Sequence, residues 1–328
     1  MTKTSLELDP RVYFGVSHAV RVKDRLRIAI ADRAYLPDPE DLQRDWVATV
    51  AAPAFKLLRE RRGRDACRAF ASIGTGSGVD ALCAIELLGA DLIGVTDLFD
   101  EVVAVAAGNI RGNVDPAHPI TLLAGAGDLL QPLKESAPRF DVIYENLPNL
   151  PLDEDGSLET GRTSAAFIQK RDEAMPGFVK DWMLVLHYLA LIQSTDFLKP
   201  GGAVVSTIGA RMPLSILSEM GEAAGYTSSL LTFSWKAQTD AADLLPSYAK
   251  WQQQGLGPFY FYPASLLSEA FASISLEQAG RDAFAIEKDL SPRRLGANAA
   301  WDAFRGGERI GHTVAVLHSS LRGDHGPA

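Results

Sequence analysis

From Arg68 onward, short apolar runs alternate with longer amphipathic runs, a pattern typical of strands alternating with helices. Consecutive strands joined by helices lie parallel, with right-handed crossovers. The sequence therefore predicts an α/β fold built on one largely parallel sheet. The pattern places strands at 68–73, 91–96, 120–124, 139–145, 202–208, 228–233 and 312–318, and helices at 79–88, 100–112, 177–197 and 216–224.

Residues 1–66 precede this alternation and are predicted to form a helical extension. Mixed apolar and charged spacing indicates a helix over 20–30, and Asp38-Pro39-Glu40-Asp41 is typical of a helix start because proline suits the first turn. A further helix is expected from Pro53 to Arg62. Tyr13-Phe14-Gly15 is a candidate lid over a ligand, although aromatic residues in such a leader usually only pack.

Between the last two predicted strands, residues 240–308 are too many for a plain loop and too apolar for disorder. This insertion is expected either to cap a substrate pocket or to form a homodimer surface, and both alternatives stay open. The predicted units are a lid-like extension at 1–66, a core at 67–239 plus 309–320, and the insertion.

The composition narrows the class of protein. Of 328 residues, 47% are hydrophobic and 22% charged, which is typical of a globular protein. The formal net charge of −9 argues against a nucleic-acid partner, which would need a basic footprint, but it leaves a cationic small molecule open. No apolar run could span a membrane, and no signal peptide is apparent, so a cytoplasmic protein without a membrane partner is expected. Cys67 and Cys83 are too few for a disulfide framework or a zinc site, so no metal is expected.

The segment 69–82 joins an apolar strand to a helix through the glycine-rich turn Gly74-Thr75-Gly76-Ser77-Gly78. Glycine tolerates positive φ and leaves no Cβ between the backbone and a ligand. The following helix directs free N–H groups and a partial positive charge at the same place. The turn therefore predicts a cradle for a nucleotide-type cofactor. Its spacing departs from the dinucleotide fingerprint, because Val79 stands where the third glycine would fall.

Two acids follow the glycine turn. Asp97 ends a predicted strand about 20 residues past the turn, where a carboxylate can accept both ribose hydroxyls of an adenosine. Asp128 follows the next strand, in Gly125-Ala126-Gly127-Asp128. The loop and the two acids, in this order, resemble motifs I, II and III of the class I S-adenosylmethionine-dependent methyltransferases.

That resemblance implies a Rossmann-like seven-stranded sheet whose strands six and seven form an antiparallel hairpin at the edge. It also implies S-adenosyl-L-methionine as the cofactor. The loop 74–78 would face the methionine end, Asp97 would hold the ribose, and Asp128 would face the adenine amino group. Glu145, at the end of the fourth strand, would lie beside the same cofactor.

The fourth strand runs into Asn146-Leu147-Pro148-Asn149, which resembles the N-P-P-Y motif of methyltransferases that act on planar nitrogens. In that motif the asparagine oxygen and a following carbonyl accept the N–H groups of the target. Here Leu147 replaces the first proline, and Asn149 replaces the aromatic residue on which a nucleobase would stack. These departures favour a small planar acceptor over nucleic acid.

Glu145 also resembles the strand-end glutamate with which protein arginine methyltransferases bind a guanidinium, and Glu154 or Glu159 would supply the second carboxylate. Two carboxylates match a guanidinium in charge and geometry. No sequence for the large β-barrel of those enzymes is found, so the resemblance is to stand-alone arginine N-methyltransferases of natural-product pathways such as streptozotocin's. A solvated Glu145, with Glu154 and Glu159 as surface loop residues, is the alternative.

We therefore predict an N-methyltransferase of a small molecule, with the guanidino group of L-arginine in antibiotic biosynthesis as the best guess. Glu145 and Asn146 would position the acceptor nitrogen. His18, His187 and His312 are candidate general bases, although the apolar helix around His187 favours a packed core residue. Open alternatives are a C- or O-methyltransferase of a secondary metabolite, a protein glutamine or nucleobase N-methyltransferase, an NAD(P)-dependent oxidoreductase and a non-catalytic binding module.

Overall fold

The structure is a computed structural model that describes residues 5–63, 67–152 and 166–323. The strands are β1 (Ser5–Leu8), β2 (Leu26–Ala29), β3 (Ala69–Ile73), β4 (Leu92–Asp97), β5 (Thr121–Ala126), β6 (Phe140–Glu145), β7 (Leu150–Pro151), β8 (Phe167–Ile168), β9 (Leu198–Gly209), β10 (Tyr226–Ala237), β11 (Tyr260–Pro263), β12 (Leu295–Gly296) and β13 (Ile310–Leu321). The helices are α1 (Pro10–Tyr13), α2 (Ala52–Arg62), α3 (Val79–Leu88), α4 (Asp100–Asn113), α5 (Gly177–Asp181), α6 (Val185–Ser194), α7 (Leu214–Ala223), α8 (Ala241–Gln253), α9 (Ala264–Phe271), α10 (Leu276–Arg281), α11 (Ala283–Leu290) and α12 (Ala297–Arg305). Shorter helical turns are Leu42–Arg44, Val47–Ala51, Gln131–Ser136 and Ser291–Arg293.

The central sheet has nine strands, of which seven lie in the spatial order β5, β4, β3, β6, β9, β13, β10, and β11 and β12 of the insertion extend it. The first five are parallel, and β13 runs antiparallel to both of its neighbours. The carboxyl ends of the parallel strands and of β10 therefore meet the start of β13 at one edge. The predicted α/β fold, with a Rossmann-like seven-stranded sheet and an antiparallel edge hairpin, is confirmed. The insertion lies between β10 and β13, and its strand β11 pairs with the start of β13.

Apolar cores cover both faces of the sheet, because successive side chains of a strand point to opposite faces. Phe70 of β3 packs with α2 and α3, whereas Ala71 and Ile73 pack with α6 and α7 on the other face. Cys67 and Cys83 are buried free thiols. A third cluster joins Leu150 to the insertion. In the described ranges no helix is both long and apolar enough to cross a membrane.

Two predicted helices differ from the structure. The helix expected at 177–197 is divided into α5 and α6 at Met183, whose φ of +56° cannot continue a helix. The helix expected at 20–30 is wrong, since β2 pairs there with β1. Leu26 and Ile28 are buried while Arg27 between them is exposed, which is the two-residue period of a strand.

The second edge of β2 is bound by side chains of α4 rather than by another strand. The Asn113 amide accepts from the Arg27 N–H (2.8 Å) and donates to the Arg27 carbonyl (2.9 Å). Asn109, one turn earlier, makes the same pair of bonds to Ala29 at 2.9 and 2.8 Å. Asn109 also donates to the Ser77 carbonyl (2.9 Å), so the N-terminal hairpin and the glycine loop share one side chain.

A buried carboxylate fixes the chain just before β2. Glu86 of α3 accepts the backbone N–H groups of Val20, Arg21 and Val22 at 2.9, 2.7 and 3.1 Å. An ionised carboxylate can accept three such donors at once because both of its oxygens are acceptors. Glu86 thereby satisfies three backbone donors of an irregular segment.

We expect Glu86→Gln to lower the free energy of unfolding by about 2 kcal/mol, because hydrogen bonds to charged groups contribute ~1.5–3 kcal/mol and an amide has one acceptor oxygen. Urea unfolding followed by circular dichroism measures the change. Glu60→Gln, at an exposed position of α2, is the matched control and should stay within about 0.5 kcal/mol of the original protein. Equal effects of the two substitutions would contradict this role.

Candidate functional site

A deep cleft opens at the sheet edge where the strand ends meet. It encloses about 1740 Å³ of empty space, including its open mouth. Strand-end loops, the N-terminal segment between Arg33 and Val47, and helix α8 of the insertion line it.

The glycine loop forms one end of the cleft. Gly74, Gly76 and Gly78 have φ values of +66°, +52° and +78°, which other residues rarely adopt. A Cβ at Gly74 would lie 2.9 Å from the Leu147 side chain, so packing also requires glycine there. The nearest atom to a Cβ at Gly76 would be the Tyr35 backbone nitrogen at 4.0 Å, an ordinary van der Waals distance. The cradle geometry expected from the sequence is present.

Asp97 ends β4 directly beside this loop. Its Oδ2 accepts the Gly76 N–H at 3.0 Å, and its Oδ1 accepts the Leu98 N–H at 2.8 Å. Burial raises the pKa of Asp97, and these two hydrogen bonds oppose that rise. The carboxylate lines the cleft at the position expected for a ribose ligand, and its contact with ribose stays a prediction.

Asp128, after β5, also lines the cleft but already has partners. Its two oxygens lie 2.6 and 3.2 Å from the Arg171 guanidinium nitrogens, and the Gln193 amide donates at 2.9 Å. Partial burial would raise the pKa of Asp128, but the hydrogen bonds and charge of Arg171 outweigh it and lower that pKa. Its expected contact with an adenine amino group stays a prediction and would have to be shared with Arg171.

Two leucines line the same end of the cleft. Leu98 follows Asp97 and keeps 44% of its surface exposed, which is unusual for so large an apolar side chain. Leu129 follows Asp128 and has a φ of +48°. Both offer apolar surface to a flat ring. Both leucines could have been predicted from the sequence, because each directly follows one of the two acids near the strand ends, Asp97 and Asp128.

Asp80, at the start of α3, is a cleft residue that the sequence did not single out. It accepts hydrogen bonds from the Ser72 hydroxyl, from the Thr75 hydroxyl at 3.3 Å and from the Ala81 N–H at 2.8 Å. Burial raises the pKa of Asp80 to about 6 in spite of these bonds. No basic side chain in the described part of the chain pairs with it.

Glu145 and His187 form a buried pair. Glu145 ends β6 with none of its surface exposed, and its oxygens lie 2.8 and 3.0 Å from His187 Nδ1. With Nδ1–H donated to the carboxylate, the Nε2 of a neutral imidazole keeps its lone pair. His187 lines the cleft, whereas Glu145 does not. The interpretation of His187 as core packing alone is therefore incomplete, and a solvated Glu145 is wrong.

The turn that follows β6 contains Asn146 and Asn149, and both residues line the cleft. The Oδ1 of Asn149 accepts the Tyr248 hydroxyl of α8 at 2.9 Å. Glu145 is buried and does not line the cleft, and its expected contacts with an acceptor and with the cofactor stay predictions. Glu154 and Glu159 lie outside the described residues.

The N-terminal residues that line the cleft are not the ones expected from the sequence. Tyr13 and Phe14 are buried in the core, so the lid proposed for them is wrong, and His18 is exposed and bonded to the Ser17 hydroxyl. Tyr35 and Trp46 line the cleft instead. Within residues 5–63, 67–152 and 166–323, no group of three or more His, Cys, Asp or Glu could hold a metal ion.

No protein-family model matches the chain, and a comparison with curated proteins finds no match. The fold is similar to that of the ribosomal protein L11 methylase of Lactobacillus delbrueckii subsp. bulgaricus, with a TM-score of 0.34 and 20% identity over 55% of this chain and 70% of that one. It is also similar to that of the 16S rRNA N2 G1207 methyltransferase of T. thermophilus, solved with AdoMet and guanosine. The TM-score is 0.41, with 15% identity over 65% of this chain and 46% of that one. A third similar fold is that of the YcgJ protein of Bacillus subtilis. The TM-score is 0.42, with 14% identity over 82% of this chain and 98% of that one.

This chain thus spans less than half of the T. thermophilus protein. At these TM-scores the likenesses identify neither an activity nor a substrate. The assignment of the fold rests on the strand order and directions of the central sheet.

We expect Asp80→Asn to remove a pH-dependent destabilisation. Because the folded-state pKa of Asp80, about 6, exceeds the ordinary 3.8, the folded protein binds this proton more tightly and loses stability as pH rises from about 4 to 6. The variant should gain on the order of 2 kcal/mol over the original protein between pH 4 and pH 7, at 1.36 kcal/mol per pKa unit.

Urea unfolding at several pH values measures this gain. Asp289→Asn, at an exposed position of α11, is the matched control. A pH-independent difference for Asp80→Asn would refute the assignment.

Proposed function

We propose that this protein is an S-adenosyl-L-methionine-dependent methyltransferase. The observation that carries the proposal is the glycine loop itself, which lines the cleft and whose Gly76 donates to the strand-end Asp97. Backbone amides and a carboxylate in this arrangement suit the ribose and methionine parts of the cofactor. The cofactor would supply an electrophilic methyl group on a sulfonium sulfur.

The acidic end of the cleft suits a cationic cofactor. Asp97 would accept the ribose hydroxyls, and Leu98 and Leu129 would bound the adenine ring. Asp80, which has no basic partner among the described residues, would face the positive charge of the methionine portion. Binding a cation there would stabilise the ionised form of Asp80 and so offset the cost of burying it.

The acceptor side suits a planar nitrogen. Asn146 offers an amide oxygen to the N–H groups of the acceptor, and this contact directs the nitrogen lone pair. His187 Nε2 would take the proton that the nitrogen releases, while Glu145 orients the imidazole and stabilises its charged form. The guanidino group of L-arginine is the finer proposal, with Glu145 acting through His187 rather than by direct contact. We propose the insertion as a cap, because Tyr248 of α8 bonds to the Asn146–Asn149 turn.

A second candidate is transfer to a hydroxyl oxygen. The His187–Glu145 pair favours it, because a hydroxyl must lose its proton to become a good nucleophile and a carboxylate-oriented histidine supplies that base. A panel of small acceptors with either a planar nitrogen or a phenolic hydroxyl distinguishes the two candidates through the formation of S-adenosylhomocysteine.

The cofactor assignment predicts that Asp97→Ala weakens S-adenosylhomocysteine binding by tenfold or more, because two ribose hydroxyls lose their charged acceptor. Isothermal titration calorimetry measures the dissociation constant. Asp289→Asn on the surface should bind like the original protein. Failure of the original protein to bind S-adenosylhomocysteine, or unchanged binding by Asp97→Ala, would refute the assignment.

The base assignment predicts that His187→Gln lowers kcat by roughly 10²–10⁴-fold with unchanged S-adenosylhomocysteine affinity, since proton transfer to a positioned base contributes that much. Glu145→Gln should lower kcat and shift the pH–rate profile, because Glu145 acts only through the imidazole. Turnover that is insensitive to both substitutions would exclude this pair from the chemistry.

A further inference from the structure

The end of the cleft farthest along the sheet from the glycine loop is basic. Arg211 follows β9, Lys236 lies near the end of β10, and His312 lies near the start of β13. These strands are neighbours at the same sheet edge, and all three side chains line the cleft. All three are buried, with 5% of Arg211 and none of Lys236 exposed.

Arg211 is held by neutral groups. Its Nη2 donates to the Gln238 amide oxygen at 2.8 Å, and its guanidinium lies 4.9 Å from the ring centre of Tyr248. Its Nε is buried and has no hydrogen-bond partner. A Cβ at Gly209 would collide with the guanidinium and lie 3.2 Å from the His312 ring, so a glycine leaves the space that Arg211 occupies.

Lys236 also has no acidic partner in contact among the residues that the structure describes. Its Nζ donates to the Thr239 hydroxyl at 2.7 Å and to the Ala237 carbonyl at 3.2 Å, and lies 4.5 Å from the ring centre of Trp46. Burial and the nearby charge of Arg211 lower the pKa of Lys236 to about 7. A lysine in this setting regains its charge when an anion binds beside it.

Asp45, an acidic residue that lines this end of the cleft, binds backbone N–H groups. Its oxygens accept the backbone N–H groups of Ala48 at 2.8 Å and Asp38 at 3.1 Å, and it forms no ion pair with Arg211 or Lys236. His312 adds a further buried nitrogen, Nε2, without a partner. Buried cations without a paired anion are costly to the folded state, and such groups are concentrated at functional sites.

We infer that the acceptor carries a carboxylate and that this carboxylate binds between Arg211 and Lys236. The inference rests on the proposed methyl transfer, since it describes the second molecule in the cleft. Among the described residues, Arg211, Lys236 and Asp45 are the two basic residues and the one acidic residue that line this end of the cleft, so a single bound carboxylate would face both basic side chains and favour the charged form of Lys236. Charge-assisted hydrogen bonds from the unpartnered Arg211 Nε and from Lys236 Nζ would hold it.

This site also restricts the class of acceptor. Asn146 and the Asn149–Tyr248 contact belong to the same cleft, so a planar nitrogen at Asn146 and a carboxylate at Arg211 would be parts of one molecule. Such a molecule is a free acid, for example an amino acid with a planar nitrogen in its side chain. An internal peptide residue lacks the carboxylate and is excluded.

The test uses the full-length protein saturated with S-adenosylhomocysteine and four small aromatic probes of similar shape. Benzoate should bind measurably by calorimetry, benzamide at least tenfold more weakly, and the cation benzamidine not at all. Benzamide or benzamidine binding as tightly as benzoate would overturn the inference. Tighter binding of phenyl phosphate than of benzoate would overturn the choice of a carboxylate.

A substitution then locates the site. Lys236→Met should weaken benzoate binding at least tenfold and leave S-adenosylhomocysteine affinity unchanged, which also shows that the variant is folded. Lys288→Met, at an exposed position of α11, is the matched control and should bind both ligands normally. Unchanged benzoate binding by a folded Lys236→Met overturns the inference.

Failure of the proposed function is distinguishable from failure of this inference. If S-adenosylhomocysteine does not bind the original protein, the methyltransferase assignment fails. The benzoate and benzamide comparison without S-adenosylhomocysteine still decides whether the basic end of the cleft selects a carboxylate.

Discussion

The reversed direction of β13 is the constraint on which the cleft depends. Because β13 runs against both β9 and β10, its first residues lie beside the last residues of those strands. His312, Lys236 and Arg211, the second residue after β9, therefore meet at the edge that also carries the glycine loop. A parallel β13 would place His312 at the opposite edge, and the basic end of the cleft would lose one of its three members.

Charge divides the cleft into two parts. Three acids lie towards β5: Asp80 in the first turn of α3, Asp97 at the end of β4 and Asp128 shortly after β5. Two basic residues lie towards β10: Arg211 shortly after β9 and Lys236 near the end of β10. Strand β6 separates the two groups and contributes the turn that begins at Asn146, with the His187–Glu145 pair behind it. This division suits a cationic cofactor at one end and an anionic acceptor at the other, with the transfer between them.

The buried strands and the glycine loop could be predicted because their signals are local. Helix α3 begins and ends at the expected residues since Gly78 and Gly89 bound an apolar run. The segment 20–30 was misassigned because its four-residue strand is short, and its pairing with β1 and with α4 amides depends on distant residues. Asp97 and Asn146 were recognisable because each directly follows a predicted strand.

Lys236, His187 and Arg211 could not be recognised from the local sequence, because their roles depend on residues that only the folded chain brings next to them. Lys236 lies in a strand whose alternation is typical of one solvated face, yet it is fully buried, and the ring of Trp46 from the N-terminal segment lies against its Nζ. His187 looked like a core residue because its helix is apolar, and only the position of Glu145 on the adjacent strand reveals an oriented imidazole. The partners of Arg211 are Gln238, directly after β10, and Tyr248 of α8, both far away in the chain.

The carboxamide of Asn109 has a consequence for the evolution and engineering of this protein. It joins the N-terminal hairpin to the carbonyl of Ser77 within the glycine loop. Shortening the chain at its beginning would therefore strip two asparagines of their backbone partners and loosen the loop from behind. The N-terminal hairpin of β1 and β2 therefore supports the glycine loop. It should not be replaceable by an unrelated N-terminal segment without an effect on that loop.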